Sequence, residues 1–93
     1  MTDLLFKMKI DDVFPLIKGG VVVVGVIEKG TIYADSKVKI TNEEGVEVLG
    51  ADLLGLEMAR RKLMSASSPN PIAIGLRDVK KEDIQAGYYV VIE

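Results

Sequence analysis

The sequence has no cysteine, no histidine and no tryptophan. Without cysteine there are no disulfides and no thiol nucleophile. Without histidine as well, zinc centres built on imidazole or thiolate and Ser-His or Cys-His catalytic pairs are excluded. Aromatic residues reach only 5%, so any core must be aliphatic. Neither sign of charge dominates: 12 Lys plus Arg face 14 Asp plus Glu, a net charge of −2. That argues against a basic protein wrapped in nucleic acid and leaves room only for a local basic patch. The longest apolar run, Val21 to Ile27 with Gly25 inside it, is far short of the ~20 residues of a membrane span. Asp3, Lys7, Lys9, Asp11 and Asp12 interrupt any signal-peptide core. A cytoplasmic protein without membrane contact is expected.

What is present is a balanced globular composition, 48% hydrophobic and 28% charged over 93 residues. A chain of this length is expected to form one domain, residues 1–93. Val and Ile are plentiful, and β-branched side chains suit a pleated surface. Leu5 to Ile10 alternates Phe6, Met8 and Ile10 against Leu5, Lys7 and Lys9, the pattern of a half-buried strand with its lysines outward. Val21 to Glu28 is apolar on both faces until Glu28 and reads as a central strand. Gly25 inside it predicts a bulge, a bend or a close backbone approach. Lys37 to Thr41 alternates, and Asn42 to Gly45 turns the chain back into Val46 to Leu49 as a hairpin with a loop of about four residues.

Ala51 to Met64 fits either a helical stripe or one face of a strand. Gly50 and Gly55 weaken the helix, so a strand to about Met58 is expected, then a turn or helical turn through Leu63. Pro69 and Pro71 close the next loop. Ile72 to Arg77 and Tyr88 to Ile92 read as strands, with one helical turn at Lys80 to Ile84 between them. Of Tyr88 and Tyr89, one must face outward. Phe6 and Phe14 fall among apolar neighbours and are assigned to the core. Turn signals recur at Gly19-Gly20, Lys29-Gly30, Asp35-Ser36, Asn42 to Gly45, Ser67 to Pro71 and Ala86-Gly87. Together these elements predict an all-β sandwich or barrel of about six to seven strands with almost no helix.

Several segments stand in an informative order: IDDVF (Ile10 to Phe14), VVGVIEKGTI (Val23 to Ile32), KVKI (Lys37 to Ile40), LEMARRKL (Leu56 to Leu63) and IGLRDVKKEDIQAG (Ile74 to Gly87). This order resembles the second domain of elongation factor Tu and related translational GTPases, over roughly residues 5 to 92. The resemblance implies a small closed antiparallel Greek-key β-barrel. The nucleotide engine of that family is a separate domain, whose phosphate loop ends in Gly-Lys-Ser/Thr. Lys18-Gly19-Gly20-Val21 has the glycines without that ending and reads as a turn. The chain is therefore expected to be the barrel alone, binding no nucleotide, metal or other cofactor.

In that family the second barrel helps hold the aminoacyl end of tRNA. By position the resemblance implies Asp11, Asp12, Glu57, Arg60 and Arg77 as RNA-binding candidates. Carboxylates accept from ribose hydroxyls, and guanidinium groups meet phosphate bidentately. The bland readings are that Asp11 and Asp12 shape a turn, and that Glu57 and Arg60 pair on the surface. Arg60-Arg61-Lys62 and Lys80-Lys81 read as solvated charge runs. The family pattern also departs here: Lys18-Gly19-Gly20 replaces Gly-Arg-Gly, Val26 stands where arginine is frequent, and Ser67 to Pro71 replaces the Ala-Gly-Asp/Glu-Asn turn. Catalysis would have to rest on carboxylates, Lys, Tyr, Ser or Thr. Asp11 and Asp12, adjacent on a strand, would point to opposite faces and form no dyad. No enzymatic activity is expected. The leading expectation is a stand-alone barrel that binds a protein partner or itself; the alternative is an RNA-binding accessory of translation.

Overall fold

In the computed structural model, which describes residues 3–93, the Val- and Ile-rich runs form strands and the predicted turn signals mostly separate them. The strands are β1 (Phe6–Lys9), β2 (Asp12–Pro15), β3 (Val21–Tyr33), β4 (Lys37–Thr41), β5 (Glu47–Met58), β6 (Arg61–Leu63), β7 (Ser65–Ser67), β8 (Pro71–Leu76) and β9 (Tyr89–Ile92). A single 3-10 turn at Lys81–Asp83 is the one helical element among the described residues. No helix among them is long and apolar enough to cross a membrane.

Six strands close a ring in the order β1-β9-β4-β5-β8-β3 and back to β1, every pairing antiparallel. Closure leaves the ring itself no free edge. The long strands β3 and β5 make it possible, because each belongs to two sheets. The first half of β3 pairs with β2 and β8, and its second half with β1 and β7. The first half of β5 pairs with β4, and its second half with β8 and β6. Phe6, Met8, Ile10, Val21, Val23, Ile27, Ile40, Ile74, Leu76 and Val90 fill the interior and are fully or almost fully buried.

The sandwich-or-barrel expectation thus resolves as a closed barrel, and the strand over Phe6, Met8 and Ile10 faces as the alternation predicts. Five local readings change. Lys29-Gly30 is no turn: β3 runs through it to Tyr33. The turn or helical turn expected through Leu63 is a two-residue hairpin turn at residues 59–60, followed by β6, and β7 was not foreseen. Phe14 is 49% exposed, while Val13 takes the core position. The reason is parity. Ile10 is buried, and Asp11 lies between β1 and β2 as an extra residue, so the inward set moves from even to odd numbers. For the same reason Asp11 and Asp12 do not point to opposite faces of one strand; both are exposed, Asp11 ahead of β2 and Asp12 within it.

Closure depends on glycine at one crossing. A Cβ on Gly25 would stand 2.1 Å from the Lys9 carbonyl oxygen, with backbone and not a flexible side chain as the obstacle. Gly50, by contrast, has only the Val38 carbonyl oxygen near its Cβ position, at 3.7 Å, an ordinary contact. The two glycines therefore make opposite predictions. Gly25→Ala should cost about 3 kcal/mol or more, because β1 must move to admit the methyl. Gly50→Ala should be neutral or stabilise by up to about 1 kcal/mol by restricting the unfolded chain. Urea unfolding of the two variants reads both; equal stabilities would show that β1 and β3 do not touch at this crossing.

Candidate functional site

The outer face of the five-strand sheet β2-β3-β8-β5-β6 carries a groove. It follows from small residues on one strand. The outward positions of β8 are Pro71, Ala73 and Gly75, while Ile72, Ile74 and Leu76 point inward and are buried. Gly55, the partner of Gly75 on β5, adds to the low floor. Val22 and Val24 of β3 form one wall, and Leu54 and Glu57 of β5 the other. Two depressions lie along this groove and share Ala73 and Glu57. One is an apolar trough of about 460 Å³ bordered by Leu16, Val22, Leu54, Leu63 and Met64. The other is a cleft of about 370 Å³ at the opposite end of β8, beside Pro71 and Ile72.

Three of the five RNA-binding candidates meet in that cleft: Asp11, Glu57 and Arg60, around Gly25, Val26 and Met58. Asp11 comes from the kink between β1 and β2, Glu57 from the end of β5, and Arg60 from the hairpin between β5 and β6. Asp12 is on the same outer face but outside the cleft, and its Oδ1 accepts the Val13 N–H at 2.9 Å. That is the local role the turn reading gave it. Arg77 is not brought to the group. It lies past the far end of β8, its N–H donating to the Asp52 carbonyl, in a separate depression of about 650 Å³ with Lys37, Lys39, Glu47 and Glu93.

The hairpin presenting Arg60 is strained. Ala59 and Arg60 have φ of +52° and +66°, the hand of a two-residue hairpin turn usually filled by Asn and Gly. Side chains in this region cost about 1–2 kcal/mol each relative to glycine. Met58 pairs with Arg61 directly behind them, so strand pairing holds the turn in place.

Charge is distributed unequally around the barrel. On the sheet formed by β1, β9, β4 and the first half of β5, Lys39 Nζ donates to Glu93 Oε1 at 2.6 Å and lies 3.4 Å from Glu47, while Lys7 is 4.0 Å from Glu28. The Glu93 hydrogen bond, then that of Glu47, raises the Lys39 ammonium above the ordinary lysine range. Lys7 also stands over the Tyr89 ring at 4.5 Å, which makes Tyr89 the outward member of its pair while Tyr88 packs against the core. Among the described residues no ion pair involves Asp11, Asp12, Glu57, Arg60, Arg61 or Lys62. The expected surface pair Glu57–Arg60 is therefore not formed.

Sequence reasoning missed the groove floor. Its signal was the small-residue alternation Pro71, Ala73, Gly75, visible once Ile72 to Arg77 is read as a strand with two faces. Met64, 83% exposed, was hidden because the segment around it was read as a turn.

Replacing Ala59 by Gly should relieve the turn and raise stability by about 1 kcal/mol without moving β6. Thermal unfolding and amide shifts of Arg61 to Leu63 check this. A loss of stability would mean that the Ala59 methyl makes contacts that outweigh its backbone strain.

No family model matches the chain. Over 82 residues, 88% of its length, it is 37% identical to elongation factor Tu of the apicoplast from Plasmodium falciparum (isolate 3D7), of which it covers 20%. The structure superposes on the apo crystal structure of translation elongation factor SelB from Methanococcus maripaludis with a TM-score of 0.83 and 22% sequence identity, covering 99% of this chain and 20% of that one. The chain thus spans about a fifth of each relative. With its six-strand closed ring, it is a β-barrel of the kind that forms the second domain of elongation factor Tu.

Proposed function

We propose that this chain is a non-enzymatic binding module of translation-factor type whose working surface, the outer face of β2-β3-β8-β5-β6, takes a protein partner. The observation that carries the reading is the apolar trough with its exposed border. Phe14, Leu16, Val26, Leu54, Met58 and Met64 make six of the eleven exposed large hydrophobic side chains and all border this one face. Concentrated apolar exposure on a small domain marks a surface that is covered in use. The departures from the family pattern support the same reading. Val26 puts an apolar side chain on the rim of the cleft where the family frequently has arginine.

The absence of native cysteine gives a clean test. Met64→Cys places a lone thiol on the trough border, and Val46→Cys places one on an exposed position of the β4–β5 hairpin. Alkylation in intact cells should be slow at 64 and fast at 46. Equal labelling at both positions would overturn the protein-binding reading.

The cleft supports a second reading, RNA binding, because Asp11, Glu57 and Arg60 converge there without pairing to one another. A ribose hydroxyl could donate to either carboxylate while the guanidinium meets a phosphate. Titration with aminoacyl-tRNA at two salt concentrations tests it. Arg60→Gln should weaken binding and lower the salt slope by about one, the signature of one lost phosphate contact. Absence of salt-sensitive binding at low salt removes this reading.

A further inference from the structure

Among the described residues the charges at the two edges of the groove face form no ion pair, and their positions are related. One row of outward residues crosses all five strands. Asp12 pairs with Val24, Val24 with Ala73, Ala73 with Glu57, and Glu57 with Lys62. Asp12 stands at its β2 end and Lys62 at its β6 end, with Ala73 of β8 in the middle and Glu57 between Ala73 and Lys62. The neighbouring outward row runs Phe14, Val22, Gly75, Gly55. It reaches Met64 at the β6 side, where Gly55 and Met64 border the same trough.

We infer that the partner for this face is a second copy of the same chain, packed face to face about a two-fold axis parallel to β8; the inference rests on the protein-binding reading above. Such an axis lays each row over its own reverse, as an isologous interface requires. Asp12 then faces Lys62 of the other copy, twice, and Val24 faces Glu57, the cross-strand neighbour of that Lys62. Phe14 faces Met64, a contact between sulfur and an aromatic ring. Val22 enters the space above Gly55, a large side chain against a small one. Ala73 and Gly75 lie on the axis, where two sheets approach best without bulk. Sheets packed in this aligned way cross at about 30°, which offsets the ends of a row by about 5 Å, within the reach of a lysine side chain.

A rotation parallel to the strands is the choice that matches acid with base. A two-fold axis in the plane of the face but across the strands would return β2 onto β2 and β6 onto β6, setting the acidic edge with Asp12 against itself and the edge with Lys62 against itself. The distribution of charge therefore selects both the occupant and its orientation. The opposite face lacks this property, since Lys39 and Lys7 already pair with Glu93, Glu47 and Glu28 of their own chain. Association through free edges is also disfavoured on the β2 side. Pro15 has no N–H, and the Val13 N–H is taken by Asp12.

Sedimentation equilibrium of the purified 93-residue chain should show reversible dimers between about 1 µM and about 200 µM, the range in which small interfaces dissociate. Asp12→Lys and Lys62→Glu, each alone, create two like-charge contacts and should weaken the dimer at least about tenfold. Mixing the two variants pairs each introduced charge with its opposite and should restore a heterodimer of wild-type strength. Thermal unfolding of each variant separates a weakened interface from a weakened fold, and the restored mixture does so independently. A strict monomer to the top of the range, or dimers indifferent to both reversals and to mixing, would overturn the inference. If the purified chain is monomeric while Met64→Cys is protected in cells, the second copy is excluded and the protein-binding reading stands. If both fail, the reading of this face falls with it.

Discussion

The Lys9 carbonyl oxygen and the backbone of Gly25 meet where no side chain fits between them. The rest of the barrel depends on that contact. It is the point at which β3 leaves its pairing with β2 and takes up β1, so that one strand can serve two sheets. Without it β1 could not lie across the second half of β3, and β9, which pairs with β1 on its other side, would lose its connection to β3. The same geometry recurs at Gly30, whose Cβ position is filled by the Leu5 carbonyl oxygen. Two glycines five residues apart on β3 thus mark the two ends of its contact with β1.

Closure then fixes what the surface can be. A closed six-strand ring has one interior, and the Val, Ile and Leu side chains that fill it use one of every two positions on each strand. Outward positions are free to differ between the two sheets, and they do. One sheet carries lysines tied to glutamates. The other carries small residues in the middle, apolar side chains around them and, at its borders, charges that form no ion pair among the described residues. The groove along β8 is therefore the outward half of the strand whose inward half, Ile72, Ile74 and Leu76, holds the core together.

Much of this was legible in the sequence, and the exceptions have physical causes. Alternation over Phe6, Met8 and Ile10 gave the inward face of β1, and Asn42 gave the hairpin turn, where its Oδ1 accepts the N–H groups of Glu44 and Val46. Phe14 was misplaced because one extra residue at Asp11 shifts the parity, and no composition rule marks a kink between two polar-flanked strands. The four consecutive valines Val21 to Val24 concealed an ordinary alternation: Val21 and Val23 are fully buried, while Val22 and Val24 line the outer groove. Strands β6 and β7 have three residues each, too few for any period to show. Asp11, Glu57 and Arg60 were named together on the strength of a resemblance. Arg77, named with them, differs because it lies at the other end of β8, a separation of several residues along one strand that a list of motifs does not encode.

The strained hairpin connects these observations to the proposed binding face. A turn of Asn and Gly would close β5 onto β6 with less backbone cost, yet Ala59 and Arg60 occupy it with positive φ. Strain of this kind persists when surrounding structure over-determines it, and it collects where a side chain must be held in place. The pairing of Leu56 with Leu63 and of Glu57 with Lys62 supplies that determination. Its effect is to hold the Arg60 side chain at the mouth of the cleft on a short, stiff loop, instead of leaving a long cation free on a mobile one. The same two-residue turn brings Lys62 directly across from Glu57 and so completes the charged row that runs to Asp12. A longer loop would relax the backbone, but it would release both the guanidinium beside the cleft and the basic edge of the face.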